Sequence, residues 1–261
     1  GEAFAQWQPL WYNENPAKAR EILNRLAPTT AARAAKAPSA REKAYIAALE
    51  ALFGPGEKLA RARLFADAMG SIAKSYPSDD EAQAFQALAL LATIPEGTRR
   101  PEVSLRAGEI ASALLRRNPQ HPGAAHYMLH AYDDGSNTAK ALPAARVYAK
   151  IAPQSSHAQH MPSHAFLPLG MWEEASGSDL ASWESSVTWV RKTGRTINQQ
   201  DFHSLSWLHY EYLQQGRFVK AREVAGLVSR ALDDTLKLGP KASMAGPGHG
   251  AMASEIGRGY D

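Results

Sequence analysis

The stretch Asn118–Phe166, NPQHPGAAHYMLHAYDDGSNTAKALPAARVYAKIAPQSSHAQHMPSHAF, repeats itself. Asn118-Pro119-Gln120 returns 34 residues later as Ala152-Pro153-Gln154. His126 and His130 return at the same interval as His160 and His164, and His130-Ala131-Tyr132 is matched by His164-Ala165-Phe166. A duplication in register predicts supersecondary units that stack on one another, each too small to bury its own apolar face. Two later turns share a second signature: Gly170-Met171-Trp172-Glu173-Glu174-Ala175 and Gly216-Arg217-Phe218-Val219-Lys220-Ala221 both read Gly-x-aromatic-x-x-Ala. Glycine permits the tight turn, the aromatic ring anchors the following helix, and alanine lets two helices approach closely.

Outward from this stretch the apolar residues keep helical spacing, and alternating β-branched runs and hairpin signals are nearly absent. In 41–53 they fall at Ala44, Tyr45, Ala48, Leu49, Leu52 and Phe53, one stripe of an amphipathic helix. Further helices are predicted over 59–76, stopped by Pro77, and over 82–93 after the acidic start Asp79-Asp80-Glu81. The series continues over 101–118, 124–133, 139–151, 160–169, 172–191, 202–215 and 218–238. Short connections between such helices imply antiparallel neighbours. The fold class is all-α.

The period and the two turns resemble the tetratricopeptide repeat (TPR) superfamily, closely over 119–238 and more loosely over 41–118. The wording HPGAAHYMLHAYDD followed by HMPSHAF is similar to a His-rich bacterial subgroup of these proteins that has no settled activity. The resemblance implies a TPR-like α-solenoid of about five antiparallel helical pairs with incomplete ends. It places a repeat domain over 1–238 and leaves 239–261 as a Gly/Pro-rich C-terminal tail; Gly1–Trp11 reads as the second half of a motif that starts before the chain.

Composition excludes several functions. A net charge of +3 is too weak, without a concentrated basic face, to argue for nucleic acid. No apolar run approaches the ~18 residues needed to span a membrane. The cysteine count of 0 removes disulfides, thiolate metal sites and cysteine nucleophiles together. The chain opens on Gly1-Glu2-Ala3-Phe4 without Met or signal peptide, as a processed product or a trimmed fragment would. A soluble protein is expected, with the cytoplasm and the periplasm or exterior both open.

The histidines carry the functional signal. Over 124–133 the buried stripe reads Ala125, Met128, Leu129 and Tyr132, and His126, His130 and Asp133 lie about 100° around from it. In the next unit Pro162, Ser163 and Phe166 take the buried stripe, while His157, His160 and His164 take the other. In the third, Leu205, Leu208, His209 and Tyr212 are buried positions and His203 shares the register of His157. The resemblance implies that this second stripe lines a concave groove, so that six histidines face one cavity. Histidines four apart on a helix, and histidines on neighbouring helices, are near enough to converge on one ion. The site expected is therefore a transition-metal site of His126, His130, His157, His160, His164 and His203, with Asp133, Asp134 and Asp201 as extra ligands or as acceptors orienting the rings. Copper, zinc, iron, nickel and manganese all accept such ligands.

Two further classes compete with the metal: an adaptor binding a partner peptide or protein in its groove, and a structural module. A metalloenzyme acting on a small substrate, by redox or hydrolytic chemistry, is the elaborated form of the first reading. Neither histidine pair carries the His-Glu-x-x-His of a zinc protease, since position 127 is Tyr and position 161 is Met. Ser155, Ser156 and Ser163 lie near histidines without a nucleophile elbow. His121 reads as a helix cap, His209 as a core residue, and the tryptophans mostly as core. Aligning Pro77 with Pro119 puts Glu81, Ala84 and Leu88 on the histidine stripe, as an apolar wall for a small ligand.

Overall fold

The computed structural model describes residues 1–11 and 13–237, and helix dominates them. The expected tail 239–261, with His249, lies outside the described residues. The chain divides into two compact units, Gly1–Asp134 and Gly135 onward.

The first unit contains α1 (Pro16–Leu26), α2 (Thr30–Ala35), α3 (Ala40–Leu52), α4 (Lys58–Ser75), α5 (Asp80–Ala92), α6 (Pro101–Arg117) and α7 (Pro122–Tyr132). Local chemistry sets the starts. Ser39 and Glu42 form a capping box on α3, and Asp79 accepts the Ala82 N–H to cap α5. Pro101 and Pro122 sit where a helix has no use for an N–H. Helices α3 to α7 each pack on the next, and α5 also meets α7. Gly1–Trp11 is not half of a helical pair: it forms 3-10 turns and a short antiparallel ladder, Trp7–Gln8 against Asn13–Glu14. Phe4 and Trp7 then pack on Phe65 of α4. The apolar wall expected at Ala84 and Leu88 is consumed by the core, where the two residues are 1% and 5% exposed.

The junction of α6 and α7 depends on Gly108. A methyl group on that residue would overlap the Tyr132 ring, which is 3% exposed and cannot swing into solvent. Gly108→Ala should therefore lower stability by about 1–3 kcal/mol, although alanine is the better helix former. Denaturant unfolding measures this, and a stabilised variant would show that the junction yields.

In the second unit a 3-10 turn, Thr138–Ala141, leads into α8 (Leu142–Ile151). It is followed by α9 (Ser156–His160), α10 (Ser163–Phe166), α11 (Trp172–Thr193), α12 (Phe202–Gln214) and α13 (Phe218–Lys237). The helix predicted over 160–169 thus begins earlier and breaks in two at Met161-Pro162. Pro162 has no N–H to return to the previous turn, and its ring crowds the carbonyl there. Gly170 (φ 70°) and Gly216 (φ 68°) both take the left-handed turn that the repeated signature requires. The alanines of that signature, Ala175 and Ala221, are 0% and 1% exposed. Helix α11 packs on α9, α10 and α12, and α12 packs on α13. The α12–α13 core joins Leu205, Leu208 and Tyr212 to Val224 and Val228.

Candidate metal centre

Both histidine pairs adopt one geometry. On α7 the Nε2 atoms of His126 and His130 are 3.0 Å apart, and across the α9–α10 break those of His160 and His164 are also 3.0 Å apart. The break at Pro162 therefore preserves the four-residue spacing. Two nitrogens 3.0 Å apart, each ~2.0–2.1 Å from a shared ion, would subtend about 94° at it. That is below a tetrahedral angle by an amount that ring movements of a few tenths of an ångström cover, so this geometry does not select one metal.

In the second unit His203, one residue into α12, joins the pair. Ligand atoms of His160, His164 and His203 all lie within 4.8 Å of one another. The His160 and His203 ring centroids are 4.6 Å apart. His164 and His203 are half-buried, whereas His160 is only 2% exposed, so the trio has one deep member and two towards solvent. Trp207, one turn on from His203, lies against all three imidazoles, with centroids at 5.0 Å from His160, 4.6 Å from His164 and 5.3 Å from His203.

Asp179 of α11 binds Nδ1 of His160 through Oδ1, and its own side chain is 0% exposed. This contact decides the ring chemistry. A carboxylate on Nδ1 holds the proton there and leaves the Nε2 lone pair directed at His164, the arrangement that metal-ligating histidines use. The Ser163 hydroxyl is 3.4 Å from the same Nδ1 and donates to the His160 carbonyl at 2.8 Å. Serine and aspartate thus share one ring nitrogen, so His160 cannot relay a proton from Ser163 to Asp179 as a hydrolytic triad would.

The remaining predicted residues are placed as follows. Asp201 caps α12 by accepting the Ser204 N–H at 3.1 Å, and its other oxygen accepts the Ser182 hydroxyl at 3.0 Å. Burial raises the Asp201 carboxyl, but the Ser204 N–H, His160 and Ser182 outweigh it and hold the group below the ordinary range. Its part is to fix the first turn of the helix that carries His203. His157 is half-buried on α9 and is outside the His160 trio. Asp133 closes α7 on an exposed position, and the Asp134 carbonyl accepts from Arg99 at 3.0 Å. His121 caps α7 through Nδ1 at 3.1 Å from the Ala124 N–H. His209 is 6% exposed, and burial lowers its pKa. Trp183 packs on Phe202, while Trp189 is exposed beneath the Arg195 guanidinium at 4.6 Å.

Two buried residues behind the trio escaped the sequence reading. Asp179 lies 19 residues beyond His160, inside a helix, where no spacing rule points to it. Glu211 of α12 is also 0% exposed and meets Asp179 side chain to side chain. Burial, then the Asp179 charge, pushes Glu211 up to about 9; burial also raises Asp179 above its ordinary value, against hydrogen bonds from Glu211, Ser163 and Ser204 that favour its charged form. The signal that could have found Asp179 is the buried stripe of α11 itself, Ala175, Ser176, Asp179, Ser182, Ser186 and Val190. A long helix whose inner face is small and polar is facing something other than an oily core. Neither the protein-family models nor the curated proteins give a match to this chain.

Proposed function

We propose that the chain is a transition-metal-binding protein whose ion is held by His160, His164 and His203. The observation that carries this reading is the buried Asp179 on His160 Nδ1, paired with the 3.0 Å approach of the His160 and His164 Nε2 atoms. Without an ion, two neutral imidazoles at that distance satisfy one another by a single proton. With an ion, both lone pairs and the third imidazole are used, and the carboxylate behind His160 balances charge. Three protein nitrogens leave a coordination position for water or for one donor atom of a small ligand, the pattern of catalytic rather than structural metal sites. A metalloenzyme of small-molecule substrates is the form of this proposal that uses that position; imidazole ligands accept copper, zinc and iron alike. The TPR-like α-solenoid belongs to the same proposal. It is supported by the left-handed glycines at both signature turns and by the meeting of α5 with α7, a contact that stacked hairpins make.

Elemental analysis of untagged protein, followed by calorimetric titration with Co2+, Zn2+ and Cu2+ at pH 7.5, tests the proposal. Saturable binding near one ion per chain at this trio is expected, and its absence for all three ions would end the metal reading in favour of the adaptor. Trp207 supplies an internal reporter. Cu2+ should quench a saturable part of the fluorescence, and Trp207→Phe should remove that part while calorimetric binding persists. Equal quenching in the variant would place the ion elsewhere.

A further inference from the structure

Behind His160 two carboxyl groups meet out of reach of water. Asp179 and Glu211 are both 0% exposed, and they stand on different helices, α11 and α12. One Asp179 oxygen is taken by His160. Among the described residues, the other oxygen and both oxygens of Glu211 meet no hydrogen-bond donor from a fixed N–H or hydroxyl. Ser163 donates to the His160 carbonyl at 2.8 Å and Ser204 to Ser182 at 2.9 Å; both hydroxyls stand beside Asp179, where they favour its charged form, and neither acts on Glu211. Two buried carboxylates in contact would repel, and Glu211 has no donor of its own among the described residues to offset its charge. One proton between them removes the repulsion and supplies the missing donor. Asp179 has the His160 N–H and the Ser163 and Ser204 hydroxyls to stabilise its charge, whereas among the described residues Glu211 has only Asp179, so the proton belongs on Glu211.

We propose that Glu211 is a positioning residue of the three-histidine site: as a neutral acid it donates to Asp179, locks that carboxylate in place, and thereby fixes the His160 ring with Nδ1 protonated and Nε2 turned to the metal position. In its consequence for metal the inference rests on the proposed function. Its consequence for the ring does not.

The test compares Glu211→Gln, which keeps a donor of the same length, with Glu211→Leu, which has none; Glu211→Met serves the same comparison if the leucine variant does not fold. Two readouts are taken at pH 7.5. The first is the His160 tautomer in metal-free protein, from imidazole 15N–1H correlation spectra. The second is Co2+ affinity, with the visible ligand-field spectrum reporting coordination. Wild type and the glutamine variant should hold the Nδ1–H tautomer and bind Co2+ within about threefold of each other, while the leucine variant should mix tautomers and bind about tenfold or more weakly. An unchanged tautomer in the leucine variant overturns the proposal, and so does a glutamine variant that behaves like leucine. An altered tautomer with unaltered Co2+ affinity overturns the part that concerns metal. If wild type binds no Co2+ but the tautomer still responds, the positioning role stands and the metal reading falls alone.

Discussion

Replacing His160 and His164 together by alanine is expected to abolish transition-metal binding at pH 7.5. The two residues supply the Nε2 atoms that stand 3.0 Å apart, and one of them, His160, has its ring anchored by the Asp179 carboxylate. His203 alone cannot hold an ion against water, because the affinity of such a site comes from simultaneous ligands on a fixed frame. Asp179→Asn should be milder, weakening binding by about 10–100-fold, since the ligands remain but the ring loses its anchor. His209→Ala is the control: that residue is 6% exposed and outside the trio, so affinity should stay while stability falls. Protons give the same centre a second signature. Imidazole binds metal only as the neutral base, and an ordinary imidazole takes its proton near pH ~6.5. Affinity should therefore be strong at pH 7.5 and fall steeply toward pH 5, with more than one proton taken up per ion released. Calorimetry in buffers of different ionisation enthalpy counts those protons. A binding constant untouched by the double substitution, or flat between pH 7.5 and 5, would remove the ion from these histidines.

Helix periodicity carried the helix-rich fold because bulky residues mark one face of most segments. The face Ala125, Met128, Leu129 and Tyr132 is 0–4% exposed in the structure, as its spacing implies. The break at Pro162 was not read, because His160, His164 and Phe166 keep helical spacing across it. Gly1–Trp11 was misread for the opposite reason: Phe4, in a 3-10 turn, and Trp7, in a short strand, pack on Phe65 without forming a helical face. For the candidate site, duplication exposed the ligands but not what stands behind them. His126 and His160 are copies 34 residues apart, and a copy is visible in a sequence. Asp179 and Glu211 have no copies. They meet because α11 packs on both α9 and α12, a tertiary fact that no local pattern encodes. Asp133, Asp134 and Asp201 were chosen for closeness along the chain, and of these Asp201 reaches the neighbourhood by capping the helix that carries His203.

Glu211→Gln is expected to make the metal-free protein more stable at neutral and alkaline pH, and the gain should shrink to little at pH 4. In the folded state Glu211 keeps its proton up to about 9, against 4.5 for an ordinary glutamate. Between those values the folded chain holds a proton that the unfolded chain has released, so stability falls as pH rises through the window. The contribution is fully present below the unfolded value and lost on approach to the folded one. Glutamine fills the same space, donates to Asp179 and does not titrate. At pH 7 the difference should be on the order of 3 kcal/mol in favour of the variant. Asp179 is coupled to Glu211 and answers to the substitution with it, so the difference between variant and wild type reports the carboxyl pair. Urea unfolding at pH 4, 5.5, 7 and 8.5, with chelator present, measures it. A difference that does not grow with pH would mean that Glu211 carries its charge when folded. The carboxyl pair would then lack the proton on which both its own stability and the orientation of His160 depend.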